Sequence, residues 1–212
     1  MTPGERLDDG LAQLDMTVTP EVRQRLLDFT ALLLRWNRVT NLTAVREPIA
    51  VVDRHILDCA AVLPHVRGAH VLDLGSGGGL PGLIFAIVQP QWQLTLLDSN
   101  GKKTRFLTQA AISLGLDNVA VVNARAESWQ NGRDFDTVIS RAFADLAAFT
   151  RIATAYVRAR GTIVAMVGKK TGHTLGEAID DCTVVSVDAL RVPFTDGERH
   201  VVSLQRTETA TP

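Results

Sequence analysis

Along the first third of the chain the hydrophobic positions recur at three- and four-residue steps, the spacing of amphipathic helices. Leu7, Leu11 and Leu14 mark one short helix. Thr19-Pro20-Glu21 opens a second, with threonine at the cap, proline at the first helical position and an acid in the first turn. Val22, Leu26, Phe29, Leu33 and Trp36 form its packing stripe. A third helix is expected over Pro48 to Val62, with Ile49, Val52, Ile56, Cys59, Ala60 and Leu63 turned inward. Between the second and third, Trp36 to Thr43 follows no hydrophobic period and is rich in hydrogen-bonding side chains, which turn and capping chemistry explains as well as a functional surface does. Arg54 and Asp58 stand at i and i+4, the spacing of a salt bridge, and His55 between them caps or packs.

From His70 onward short apolar runs alternate with helical stretches, the rhythm of a parallel sheet covered on both faces. The expected strands are Val71 to Leu74, Leu94 to Leu97, Val119 to Asn123, Thr137 to Ser140 and Thr162 to Val167. Helices are expected from Gly101 to Leu114, through Leu146, Phe149, Ile152 and Tyr156, and near Thr174 to Ile179. Thr183 to Val187 and His200 to Gln205 complete the pattern as an antiparallel pair at the sheet edge, because no helix separates them. The reading is an α/β chain: a doubly wound, mostly parallel, seven-stranded sheet over residues 69–212, preceded by a helical extension over residues 1–68.

The centre of this pattern is Val71 to Gly82, where an apolar strand ends in an acid and a glycine cluster before a helix marked by Leu80, Leu83, Ile84, Ile87 and Val88. Glycine supplies the positive φ and close backbone approach that a ligand-binding turn needs. Gly77 to Gly82 satisfies the dinucleotide pattern G-x-G-x-x-G, but the strand leaves through Asp73-Leu74-Gly75, and the better register is Asp-x-Gly-x-Gly-x-Gly over Asp73, Gly75, Gly77 and Gly79. A carboxylate there repels a pyrophosphate and favours a ligand carrying an ammonium group, such as S-adenosylmethionine. The arrangement resembles the first motif of class I methyltransferases.

Ligands of open parallel sheets sit beyond the carboxyl ends of the strands, where strand order reverses. Asp98 ends the second strand, about twenty residues after the glycines, where an acid accepts both hydroxyls of a ribose. Capping of the helix at Gly101 is the competing role, and Ser99 or Asn100 can fill it. Ala126-Glu127 follows the third strand, placed to flank an adenine ring or to cap a helix. Arg141 ends the fourth within Ser140-Arg141-Ala142-Phe143, a charge at the cleft mouth that packing does not explain, with Asp145 or Glu127 as possible ion-pair partners. Gly101-Lys102-Lys103-Thr104 is not a phosphate loop, since the upstream glycine is missing and it follows the second strand. Its lysines read as a solvated helix face.

Composition narrows the rest. Of 212 residues 46% are hydrophobic, and the net charge is −1, so any nucleic-acid contact must come from a local basic patch. Cys59 and Cys182 are far apart in sequence, and the five histidines form no ligand pair, which supports neither a disulfide framework nor a metal site. The polar, acidic start carries no signal-peptide core, and the most apolar helix, Leu26 to Trp36, is interrupted by Asp28 and Arg35. A cytoplasmic, membrane-free monomer is expected.

The combined segments Trp36 to Thr43, Arg54 to Asp58, Asp73 to Gly82, Leu97-Asp98-Ser99 and Ile139 to Ala142 resemble the bacterial 16S ribosomal RNA guanine-N7 methyltransferase family, also called glucose-inhibited division protein B, over about residues 15–205. The resemblance implies S-adenosylmethionine as cofactor and 16S ribosomal RNA or the 30S particle as partner. It implies Asp73, Gly75, Gly77, Gly79, Leu80, Asp98, Ala126, Glu127 and Arg141 on the cofactor side. It implies Asn37, Arg38, Asn41, Arg54 and His55 on the RNA side, and with a net charge of −1 RNA binding requires arginines such as Arg35, Arg38, Arg46 and Arg54 to collect on one face. Gly78-Gly79 departs from the family pattern, in which proline or alanine often precedes the last glycine, and is expected to leave the chemistry intact. Guanine N7 offers a lone pair and no proton, so the reaction needs no general base, and positioning alone can supply about 7–11 kcal/mol. The other readings open to these residues are a nicotinamide-dependent oxidoreductase, a small-molecule methyltransferase and a non-enzymic RNA-binding protein.

Overall fold

The computed structural model describes residues 1–130, 134–141, 145–168 and 172–206. Helix α1 (Pro3–Gln13) starts from a capping box in which the Thr2 hydroxyl accepts from the Glu5 N–H and the Glu5 carboxylate accepts from the Thr2 N–H. Helix α2 (Pro20–Thr40) is capped by Thr19 and ends where Asn41 turns left-handed at φ 50°. The third expected helix is broken into α3 (Pro48–Val51), a π-helical turn (Val52–Ile56) and α4 (Leu57–Ala60), followed by a 3₁₀ turn (Leu63–His65). Hydrophobic spacing does not register that one-residue widening, which re-aims Asp53, Arg54 and His55 relative to a straight helix.

The α/β region follows as β1 (His70–Leu74), α5 (Gly82–Val88), β2 (Gln93–Asp98), α6 (Gly101–Leu114), β3 (Val119–Asn123), β4 (Phe135–Arg141), α7 (Leu146–Ala153), β5 (Val157–Val167), β6 (Ala178–Ile179), β7 (Cys182–Ala189) and β8 (His200–Arg206). The sheet has eight strands in the order β3-β2-β1-β4-β5-β8-β7-β6, parallel through β5 and antiparallel from there to the β6 edge. The strand beyond the expected seven is β6, which lies where a helix near Thr174 to Ile179 was expected. Leu175 is 74% exposed, and Ile179, 7% exposed, buries its side chain from the strand. The chain turns instead at Gly176, φ +84°, and pairs Ala178 with Thr183.

Alternation along the central strands divides the core. Val71, Leu94, Leu96 and Ile139 join the cluster under α1, α2, α5 and α6, whereas Leu72, Leu74, Leu97 and Val138 face Phe149 of α7 and Tyr156. Leu7, Leu26, Phe29 and Leu33 belong to the same cluster as Leu83 and Phe106, so the N-terminal helices pack on the layer formed by α5 and α6. Trp36 meets Phe106 edge-on, 5.8 Å between ring centroids. Cys59 and Cys182 are buried free thiols. Among the described residues no helix is long and apolar enough to cross a membrane.

Candidate active site

Strand order reverses beside β1, which pairs with β2 on one side and β4 on the other. The two crossovers therefore diverge there and open a crevice beyond the carboxyl ends. The glycine loop lies along it, tied down by the Gly75 and Ser76 N–H groups, which donate to Leu97 O at 2.8 and 3.0 Å, and by the Ser76 hydroxyl, which donates to Asp73 O at 2.9 Å. Gly75 and Gly79 have φ of +79° and +78°. A Cβ at Gly75 would meet nothing within 4 Å, so the loop is open on that side, whereas one at Gly79 would stand 2.3 Å from Leu83 Cδ1. Gly78 has room for a small side chain, its nearest neighbours being Leu33 Cδ1 at 3.4 Å and Leu42 O at 3.5 Å.

A cleft of about 400 Å³ at the ends of β1, β2 and β4 is lined by Gly75, Asp98, Ala126, Glu127 and Arg141 among others, five of the nine expected cofactor residues. Asp73, Gly77, Gly79 and Leu80 do not line it. Asp73 faces the same side of β1 as Val71, is fully buried, and accepts the Gly82 N–H on Oδ2 at 2.9 Å, while Oδ1 has no partner among the described residues. This corrects the expectation that it meets a ligand ammonium directly. It anchors the start of α5 from below, and burial pushes its carboxyl up to about 7, partly opposed by the Gly82 and Ser76 hydrogen bonds. Leu80 is 8% exposed and packs in the core. Gly77 acts through Asp98, donating its N–H to Oδ2 at 2.9 Å.

Asp98 also accepts the Asn100 N–H on Oδ1 at 2.8 Å. Asn100, not Asp98, caps α6, its side chain accepting from the Lys102 N–H. Two loop donors thus hold the Asp98 carboxylate at the end of β2 with lone pairs to spare for paired hydroxyls. Ala126 and Glu127 lie in a turn closed by the Ser128 and Trp129 N–H groups on Arg125 O. The Tyr156 hydroxyl donates to Ala126 O, and also to Trp129 O at 2.9 Å, which fixes that turn over the cleft. Sequence spacing does not show Tyr156 as a site residue, because it lies 30 residues from Ala126 along the chain and meets it only through packing. Lys103, expected on a solvated face, lines the cleft. Acceptor carboxylates at Asp98 and Glu127 beside the apolar Leu74, Leu97 and Ile152 suit a nucleoside-type cofactor such as S-adenosylmethionine.

Arg141 pairs with neither Asp145 nor Glu127. Asp145 caps α7 through the Ala147 N–H at 2.9 Å. Arg141 Nε lies 3.4 Å from Asp58 Oδ2, and Nη2 donates to Arg54 O at 3.0 Å and approaches His55 Nδ1 at 3.1 Å. Asp58, 4% exposed, takes a second arginine on its other oxygen, Arg199 Nε at 3.0 Å. The expected Arg54–Asp58 pair is absent, since the π-helical turn leaves the Arg54 side chain exposed. Arg199, from the β7–β8 connection, escapes the sequence reading because only the folded edge of the sheet brings it to Asp58. Ala142 and Phe143 lie outside the described residues.

The expected RNA-side residues divide in two. Arg38, Asn41 and Arg54 are exposed. Asn37 is 1% exposed, with Nδ2 donating to Thr43 O at 2.8 Å and Val45 O at 3.3 Å and Oδ1 accepting the Thr43 N–H at 2.9 Å. His55 is buried, its Nε2 2.7 Å from the Thr43 hydroxyl, and burial beside Arg141 lowers its pKa to about 4. Both therefore shape the loop from Asn41 to Val45 from within, which corrects their expected place on the RNA surface. Among the described residues no group of three or more histidine, cysteine or acidic side chains could hold a metal ion.

Comparison with known proteins accords with this geometry. An Aquifex aeolicus SAM-dependent methyltransferase superposes with a TM-score of 0.57 at 14% identity over 82% of this chain and 98% of that one. Pyrococcus horikoshii TYW2, determined with MeSAdo, gives 0.55 at 13% over 74% of this chain and 62% of that one. Both are likenesses of fold. In sequence, the ribosomal RNA small subunit methyltransferase G of Nitrosospira multiformis is 44% identical over 97% of this chain and 99% of its own length. That of Chromohalobacter salexigens is 46% identical over 97% of this chain and the whole of its own. The GidB family, described as rRNA small subunit methyltransferase G, matches residues 22–202. With its cleft at the strand-order reversal and relatives matched across nearly its whole length, the chain belongs to the rRNA small subunit methyltransferase G family.

Proposed function

We propose that this chain transfers the methyl group of S-adenosylmethionine to N7 of a guanine in 16S ribosomal RNA. The observation that carries the reading is the extent of the family match, residues 22–202, which takes in nearly all of α2, and α3 and α4, as well as the cofactor cleft. A small-molecule methyltransferase would share the cleft and differ in using the N-terminal helices as a lid instead of an RNA platform. In this reading residues 1–68 supply the RNA platform and residues 69–212 hold the cofactor.

When bound, S-adenosylmethionine supplies an electrophilic methyl on a sulfonium. Asp98 holds the ribose hydroxyls, the turn at Ala126 and Glu127 flanks the adenine, and the side-chain-free Gly75 admits the cofactor against the loop. Arg141, fixed by Asp58 and the Arg54 carbonyl, closes the cleft on the side from which RNA approaches. No side chain has to accept a proton, and the contribution of the protein is orientation and exclusion of water.

The direct test is methyl transfer from labelled S-adenosylmethionine to 16S rRNA and to 30S particles prepared from cells without a family member, followed by digestion to nucleosides. Label in 7-methylguanosine is expected. Cofactor binding with no label in either RNA would transfer the assignment to a small-molecule substrate.

A further inference from the structure

Beside the cofactor cleft lies a second pocket of about 230 Å³, lined by Asp58, Arg141, Met166, Leu190, Arg199 and His200 among others. Arg141 lines both, so a group in the second pocket sits against the wall of the first. We propose that this pocket receives the target guanine, with Arg199 donating to O6 so that N7, on the same edge, is presented to the cofactor cleft. The inference rests on the rRNA methyltransferase reading above and extends it to the base-reading residue.

Three features of the pocket match guanine. Its charged wall is rich in donors: Arg199 engages Asp58 through Nε at 3.0 Å and Glu198 O through Nη1 at 2.9 Å, and among the described residues Nη2 has no partner. Guanine carries an acceptor at O6 where adenine carries an amino donor, and N7 is common to both, so a guanidinium facing that position selects the base without occupying the reacting atom. Met166 and Leu190 give the pocket apolar surface for a base face. Methylation also leaves the purine cationic, and an unpaired arginine beside it would oppose the reaction. Asp58, shared at 3.4 and 3.0 Å between Arg141 and Arg199, limits that opposition to one net positive charge while keeping both guanidinium planes fixed.

The experiment uses 30S particles reconstituted with 16S rRNA carrying, at the mapped methylation position, either guanine or 2-aminopurine, which keeps N7 and lacks O6. Arg199→Gln should lower kcat/KM for guanine by about 10- to 100-fold more than it lowers the already slow 2-aminopurine reaction, because only guanine has the O6 contact to lose, whereas any change passed through Asp58 to Arg141 falls on both bases alike. Calorimetric affinity for S-adenosylhomocysteine should be the same in both proteins. Equal loss on the two particles overturns the O6 assignment, and weakened S-adenosylhomocysteine binding overturns it in favour of a site for the cofactor's carboxylate. Wild-type protein that labels neither particle overturns the rRNA reading itself, and the pocket assignment with it.

Discussion

Asp73 and His55 are buried ionisable groups whose pKa values move in opposite senses. For Asp73, raised to about 7 by burial, the fold prefers the neutral acid, so its stabilising contribution is complete below the ordinary carboxylate pKa and disappears as pH rises through 7. For His55, lowered to about 4 by burial and by Arg141, the fold prefers the neutral ring, and stability is lost as pH falls from about 6.5 through 4. The two trends offset one another in the wild-type protein between pH 4 and 6.5, and substitution separates them. Asp73→Asn should gain about 2–3 kcal/mol relative to wild type between pH 5 and pH 8 in urea unfolding. An unchanged difference across that range would mean that Asp73 is ionised in the fold and reaches solvent or a cation. At this scale the sequence showed the acid and its position, but the face of β1 that carries it is set by alternation relative to Val71, which places it beneath α5 and not in the cleft.

At the scale of elements, the loop from Asn41 to Val45 is organised from inside by one amide. Asn37→Ala strands Thr43 N–H, Thr43 O and Val45 O, and should cost about 1–3 kcal/mol of stability with the urea slope unchanged. Full stability combined with loss of RNA affinity would put Asn37 back on the RNA surface. Elements with a long apolar stripe or a clear stop were legible before folding: α2 from its stripe, α6 from Asn100 and Gly115, and β1 to β5 from their apolar runs. Two elements were not. The π-helical turn changes the facing of Arg54 and Asp58 without altering hydrophobic spacing, and the hairpin at β6 owes its form to Gly176 and to pairing with β7, a contact that local spacing does not encode. The cofactor side of the site was legible in the same measure, since Asp98 and Arg141 end strands and Gly75, Ala126 and Glu127 follow strand ends within a few residues, whereas Arg199 and Tyr156 reach the site through packing between distant segments.

The whole molecule carries a net charge of −1, so its affinity for RNA has to be local. Arg38 and Arg54 are exposed on elements flanking the loop packed over Gly78. If each neutralises one phosphate, Arg38→Ala and Arg54→Ala should each weaken RNA binding and reduce the slope of log affinity against log salt by about 1, leaving cofactor affinity unaltered. Filter binding between 50 and 200 mM salt reads both quantities, and an unaltered slope in both variants would place the RNA on another face.

Methylation of guanine N7 in the small-subunit RNA by the cleft bounded by Asp98 and Arg141 can be read by mass spectrometry of 16S rRNA. The RNA would come from a bacterial strain lacking its own family member and complemented with this chain or with its Arg141→Ala variant. 7-Methylguanosine is expected at a single 16S position with the wild-type chain and is lost with the variant at equal protein abundance. No 7-methylguanosine with the wild-type chain, or full modification with the variant, would overturn the assignment of this cleft.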